Sequence, residues 1–84
     1  MSKAVYAEAI DAVHAEATKT TKQYGDFASM HEALGVLQEE VAEFFDAVRL
    51  SQSHPGRPEK LRAEAIQIGA IALRIIEQAD RVTR

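Results

Sequence analysis

Two acidic patches in this chain carry residue types that can do chemistry: Glu39-Glu40-Val41-Ala42-Glu43 and Glu64-Ala65-Ile66-Gln67. Each places carboxylate or amide oxygens at i and i+3, on one flank of a helix beside apolar positions. A carboxylate next to a core stripe is costly unless something engages it. Hard cations such as Mg²⁺ take oxygen ligands of this kind and hold substrate phosphates at the same time. At about 100° per residue, Glu40, Glu43, Glu64 and Gln67 converge where the two helices pack, whereas Glu39 and Asp46 turn toward solvent. The plain alternative is that these glutamates, good helix formers, simply extend into water.

The elements that must position these groups read as helices. The first stretch, about Lys3 to Lys22, is alanine-rich, with Val5, Ile10, Val13 and Ala17 at helical spacing. Thr18, Thr20 and Thr21 weaken its last turn, Gly25 is a natural stop, and Asp26-Phe27-Ala28 reads as the connection. Ser29-Met30-His31-Glu32 opens the second helix as a capping box, and Leu34, Leu37, Val41, Phe44 and Val48 mark its apolar face as far as about Leu50. Ser51 to Pro58 is the clearest loop, with Pro58 suited to the first turn of a third helix ending near Arg81. In that helix Leu61, Ala65, Ile68, Ala72, Ile75 and Ala79 form a core stripe, and Ile66, Ile71, Leu73 and Ile76 extend apolar surface around most of the circumference. Such a helix needs cover on several sides, which two partner helices of one chain hardly supply. The expected architecture is therefore all-α, a three-helix chain that forms a four-helix-type bundle by homo-oligomerisation, with the third helix prominent in the interface.

Composition narrows the classes. The chain has 84 residues and reads as a single domain, residues 1–84. A core of this size is marginal without reinforcement, and the absence of cysteine excludes disulfides and thiolate metal sites. A net charge of −3, with Arg57, Lys60, Arg62, Arg74, Arg81 and Arg84 scattered, disfavours nucleic-acid binding. No apolar run approaches the roughly 18 residues of a membrane span. Met1-Ser2-Lys3-Ala4 lacks the apolar segment of a secretory signal, so the expectation is a cytoplasmic protein. No glycine-rich phosphate loop is present, and no Glu-x-x-His pair supports a di-iron bundle. His14, His31 and His54 read as solvated or packing residues, and Phe27, Phe44 and Phe45 as core. A phosphate-handling site also needs cations, for which Lys60, Arg57 and Arg74 are the candidates, Lys60 and Arg74 foremost as substrate-binding residues.

The run from His31-Glu32-Ala33 through Glu39-Glu40-Val41-Ala42-Glu43-Phe44-Phe45-Asp46-Ala47-Val48, followed by Glu64-Ala65-Ile66-Gln67, resembles the MazG-like all-α nucleoside triphosphate pyrophosphohydrolases. The family pattern is Glu-Glu-x-x-Glu, a variable spacer, then Glu-x-x-Asp. The match covers about half the chain, and the short length resembles the compact phage- and cassette-type members. The resemblance implies hydrolysis of a (deoxy)nucleoside triphosphate to the monophosphate and pyrophosphate, dependent on Mg²⁺ with Mn²⁺ as a substitute. It implies that Glu40, Glu43 and Glu64 bind metal and that Glu39 orients or activates the attacking water. It further implies a homodimer or homotetramer with the base pocket shared between chains. Gln67 departs from the pattern by replacing the family's aspartate. Its amide oxygen can still coordinate Mg²⁺, hold a ligand water or contact substrate, but the site loses one negative charge, which Asp46 or Asp80 can restore only from peripheral positions. The competing expectation is a non-catalytic helical module that binds a nucleotide or a protein partner.

Overall fold

Gly25 ends the first helix in a conformation that suits glycine, with φ of 72° and its N–H donating to the Thr21 carbonyl at 2.8 Å. The computed structural model describes residues 3–83. A single 3₁₀ turn, Lys3–Tyr6, leads into α1 (Ala7–Tyr24), and α2 (Met30–Val48) and α3 (Arg57–Gln78) follow. Among the described residues there is no strand, and no helix is long and apolar enough to cross a membrane.

Local chemistry accounts for each boundary. Helix α1 runs past the expected Lys22 because Thr20 Oγ1 donates to the carbonyl of Glu16 at 3.0 Å, absorbing the threonine into the helix. At the start of α2, Ser29 Oγ accepts the Glu32 N–H at 3.0 Å, and Glu32 Oε1 reaches back to the Ala28 N–H at 3.1 Å. The end of α2 is held from outside: Arg57 donates to the carbonyls of Leu50 and Val48 at 3.2 and 3.1 Å. This occupies the last carbonyls of α2 and removes Arg57 from the pool of free cations. Pro58 stands in the first turn of α3, as its missing N–H requires.

Helix α3 is the central element. It packs against both α1 and α2, whereas α1 and α2 do not pack against each other among the described residues. Close approach of α1 depends on Gly69, where a Cβ would lie 3.0 Å from Val13 Cγ2. The buried apolar cluster is small: Phe27, Ala33 and Ile71, with Met30, Val36, Leu37 and Ile75 against it.

The helix faces differ from the sequence expectation. On α3, Ala65, Ala72 and Ala79 are exposed, and the buried arc is Glu64, Ala70, Ile71, Arg74 and Gln78. On α2, Leu34, Val41 and Val48 are exposed together with Phe45, while Ala33 and Ala47 are buried. Leu34, Val41, Phe45 and Val48 share an arc of about 60°, while Ala33, Val36, Leu37, Glu40, Phe44 and Ala47 form the buried and half-buried side of the helix. Helix α2 thus takes one carboxylate, Glu40, into its half-buried side and leaves an apolar stripe outward. The chain is correspondingly open. Its radius of gyration is 14.2 Å, against about 12 Å for a compact chain of this length. Its accessible surface is 6204 Å², against about 5000 Å² for a folded monomer of 9.3 kDa.

Candidate functional site

Helices α2 and α3 run in opposite directions, so the Glu43-to-Glu32 direction of α2 follows the Glu64-to-Arg74 direction of α3. At one end of this pairing Glu40, Glu43 and Glu64 bring one carboxylate oxygen each within 4.8 Å of one another. Glu64 is buried and Glu40 half-buried, while Glu43 opens to solvent. The Oε2 atoms of Glu40 and Glu64 are buried with no hydrogen-bond partner. Orphaned buried carboxylate oxygens are expensive, and they are what an oxygen-ligated divalent cation would satisfy. The donor set, all hard oxygen, fits Mg²⁺ or Mn²⁺.

Electrostatics within the trio follow from the crowding. Burial pushes the Glu40 carboxyl from its ordinary 4.5 up to about 7, with the Glu43 and then the Glu64 carboxylate adding to the effect. Three acceptors this close hold together most easily when a proton or a cation lies among them. Lys60 supplies part of that charge from the rim, its Nζ 3.5 Å from Glu64 Oε1. The structure therefore brings Lys60 to the cluster as a neutralising partner of Glu64.

The remaining candidates lie nearby or apart. Gln67, one turn beyond Glu64, is half-buried and shares a cavity wall with Glu40. Glu39 is exposed and is not one of the clustered carboxylates. Arg74 is buried in the interior of α3, only 6% exposed. Its Nη2 donates to the Gly25 carbonyl at 2.8 Å, its guanidinium lies 4.2 Å from the Phe27 ring centre, and its Nε has no partner. Beside it, Gln78 Oε1 accepts the Phe27 N–H at 2.8 Å, and Arg81 clasps Asp26 through both carboxylate oxygens. The connection between α1 and α2 is thereby latched to α3 by Arg74 and Gln78 and to the turn after it by Arg81. The Arg81 guanidinium in turn holds the Asp26 carboxyl below its usual value.

Because α1 and α2 stand apart, a groove floored by α3 opens between them. Its first chamber, about 290 Å³, has Lys19, Glu40, Gln67 and Arg74 in its walls. A second chamber, about 310 Å³, lies against Tyr24, Phe27, Val36 and Arg74. Tyr24, Val36 and Arg74 belong to both walls, so the two chambers adjoin. The groove thus leads from a carboxylate trio, past two cations, to an aromatic end. Sequence reasoning missed Lys19 and Tyr24, since neither belongs to a motif. The one local hint was an aromatic residue in the last turn of a helix just before a glycine stop.

The chain matches no protein-family model, and no curated protein or solved structure is found to be similar to it.

Proposed function

We propose that this chain is a Mg²⁺-dependent pyrophosphohydrolase of (deoxy)nucleoside triphosphates, similar to the MazG-like enzymes, releasing the monophosphate and pyrophosphate. The observation that carries the reading is the Glu40–Glu43–Glu64 trio, with partnerless buried oxygens, beside a groove walled by Lys19 and Arg74. Anionic phosphates need cations on one side and a metal on the other, and this groove has a place for both.

When bound by Glu40, Glu43 and Glu64, with the Gln67 amide oxygen beside them, Mg²⁺ or Mn²⁺ neutralises phosphate oxygens and polarises the α-phosphorus. The chain's own groups do the remaining work. Lys19 and Arg74, in the wall of the first chamber, supply positive charge to phosphate oxygens there, and Lys60 at the rim pairs with Glu64. Water attacks the α-phosphorus, the bond to the α–β bridging oxygen breaks, and pyrophosphate leaves with the electron pair. Glu39, exposed and adjacent to the trio, takes the proton from the attacking water. Positioning and charge stabilisation provide most of the acceleration in such chemistry.

The reading includes a second copy of the chain against the outward face of α2, giving a homodimer or a tetramer built from it. The excess of about 1200 Å² of accessible surface over a compact monomer compares with about 800 Å² buried per partner in a standard interface. Leu34 at 50%, Val41 at 48% and Phe45 at 58% exposure supply its apolar centre. No nucleic acid or membrane enters this reading, and the cytoplasm, where nucleoside triphosphates and Mg²⁺ abound, is the compartment it requires.

The same outward face, together with Gln67 in place of an acid, favours the second reading, a non-catalytic module that binds a protein or nucleotide. Pyrophosphate release from a panel of ribo- and deoxynucleoside triphosphates, with Mg²⁺ and with EDTA, separates the two. The enzyme reading expects Mg²⁺-dependent pyrophosphate and equimolar monophosphate, lost in Glu43→Gln. Orthophosphate release, or no release from a folded oligomer, overturns it.

A further inference from the structure

Helix α2 presents Glu32, Val36 and Glu40, at i, i+4 and i+8, to the groove. Glu40 belongs to the carboxylate trio, and Glu32 and Val36 to the wall of the 310 Å³ chamber. Eight residues of helix separate Glu32 from Glu40, an axial distance of about 12 Å. That is the reach of a nucleotide from its base edge to its first phosphates. With the phosphates placed beside the trio by the proposed activity, the base falls in the second chamber. We infer that this chamber, formed by Tyr24, Phe27, Glu32, Val36 and Arg74 of one chain and not shared between two as the resemblance implies, is a nucleobase subsite, and that Glu32 selects bases carrying an amino group. The inference rests on the pyrophosphohydrolase reading for the direction of the substrate along the groove.

The lining supports stacking. Tyr24 is 69% exposed at the end of α1 and lines both chambers, which leaves ring surface open to a planar partner. Phe27 cannot play this part, because it is buried and the Arg74 guanidinium covers its face. Arg74 lines the same wall and sets its positive charge beside the chamber, while its Nη2 is held by the Gly25 carbonyl. Base–aromatic stacking is tolerant of identity, since every base has a π face. Discrimination must therefore come from the hydrogen-bonding groups at the edge.

Two carboxylates border the chamber, and only one has an oxygen to spare. Both oxygens of Asp26 accept from Arg81, at 2.8 and 3.2 Å. Glu32 uses Oε1 for the Ala28 N–H at 3.1 Å, and its other oxygen has no partner among the described residues. A carboxylate oxygen only accepts. It suits the exocyclic amino groups of cytosine, adenine and guanine. Uracil and thymine offer only N3–H, flanked by two carbonyl oxygens that repel a carboxylate.

The test exploits the capping role of the same side chain. In Glu32→Gln the amide oxygen keeps the contact with the Ala28 N–H, because glutamine serves this cap as well as glutamate. Its free atom then becomes an NH₂ donor, and the preference at the base edge reverses. Binding of CMP, UMP, AMP and GMP is followed in EDTA by NMR shifts of the Tyr24 ring and Val36 methyls, so neither metal nor turnover is required. The wild-type protein is expected to bind CMP about tenfold or more tightly than UMP, Glu32→Gln to invert that order, and Tyr24→Ala to weaken all four nucleotides together. Equal CMP-to-UMP ratios in wild type and Glu32→Gln, or shifts absent from Tyr24 and Val36, overturn the subsite. Loss of the enzyme reading is seen separately: base-selective binding without pyrophosphate release removes the activity and keeps the subsite, while release without base selection does the reverse.

Discussion

Replacing Glu40 by glutamine probes the trio through its pH dependence. In the metal-free protein the Glu40 carboxyl titrates near 7 instead of its ordinary 4.5, chiefly because of burial and then because of Glu43 and Glu64. A folded-state value above the unfolded one means that the protonated form is preferred in the fold. The associated stability is fully present below about 4.5 and is lost as pH rises through about 7. At 1.36 kcal/mol per pH unit, and discounted because Glu40 is only half-buried, the loss is about 1–3 kcal/mol, or on the order of 10 °C in Tm. Glu40→Gln keeps the shape and removes the titration. Thermal unfolding in EDTA at pH 4.5 and pH 8 should find the variant matching wild type at the lower pH and more stable by that amount at the higher. Titration of Asp26, which acts in the opposite direction through Arg81, cancels in the comparison. Mg²⁺ at pH 8 should restore wild type toward the variant and leave the variant unmoved. The reasoning is refuted if the difference between the two proteins is the same at both pH values, or if Mg²⁺ stabilises both alike.

Gln67→Asp adds a fourth carboxylate to the wall beside Glu40; it should lower metal-free stability at pH 8 and tighten Mg²⁺ binding several-fold by calorimetry, and unchanged affinity would remove Gln67 from the site. Gln78→Leu leaves the buried Phe27 N–H without its acceptor and should cost about 1–3 kcal/mol in urea unfolding, a loss under about 0.5 kcal/mol contradicting the latch. Val41→Glu with Phe45→Glu charges the outward face of α2 and should give a monomer by light scattering at micromolar concentration, with helicity retained by circular dichroism; a persistent dimer would place the interface elsewhere.

The residues that act on their immediate neighbours were legible in order. Gly25 stops α1 because its own backbone adopts a positive φ, Ser29 and Glu32 cap α2 through bonds spanning three and four residues, and Pro58 fits the first turn of α3. The i, i+3 spacing likewise sufficed to put Glu40 and Glu43 on one flank, with Glu64 able to meet them from the next helix. The periodicity of α2 set the angle between its apolar stripe and its glutamates, but not which of the two faces α3. Assigning the whole apolar stripe to the interior was wrong for Leu34, Val41 and Val48: α3 lies against Val36 and Glu40, which keeps Leu37 and Phe44 half-buried and leaves the other three outside with Phe45. The burial of Arg74 and Gln78 was equally invisible, since the carbonyl and N–H they serve, on Gly25 and Phe27, are about fifty positions away in the chain. Only the tertiary structure decided the groove. It exists because α1 and α2 both dock on α3 and not on each other, and that separation sets Tyr24 and Lys19 opposite Val36 and Glu40.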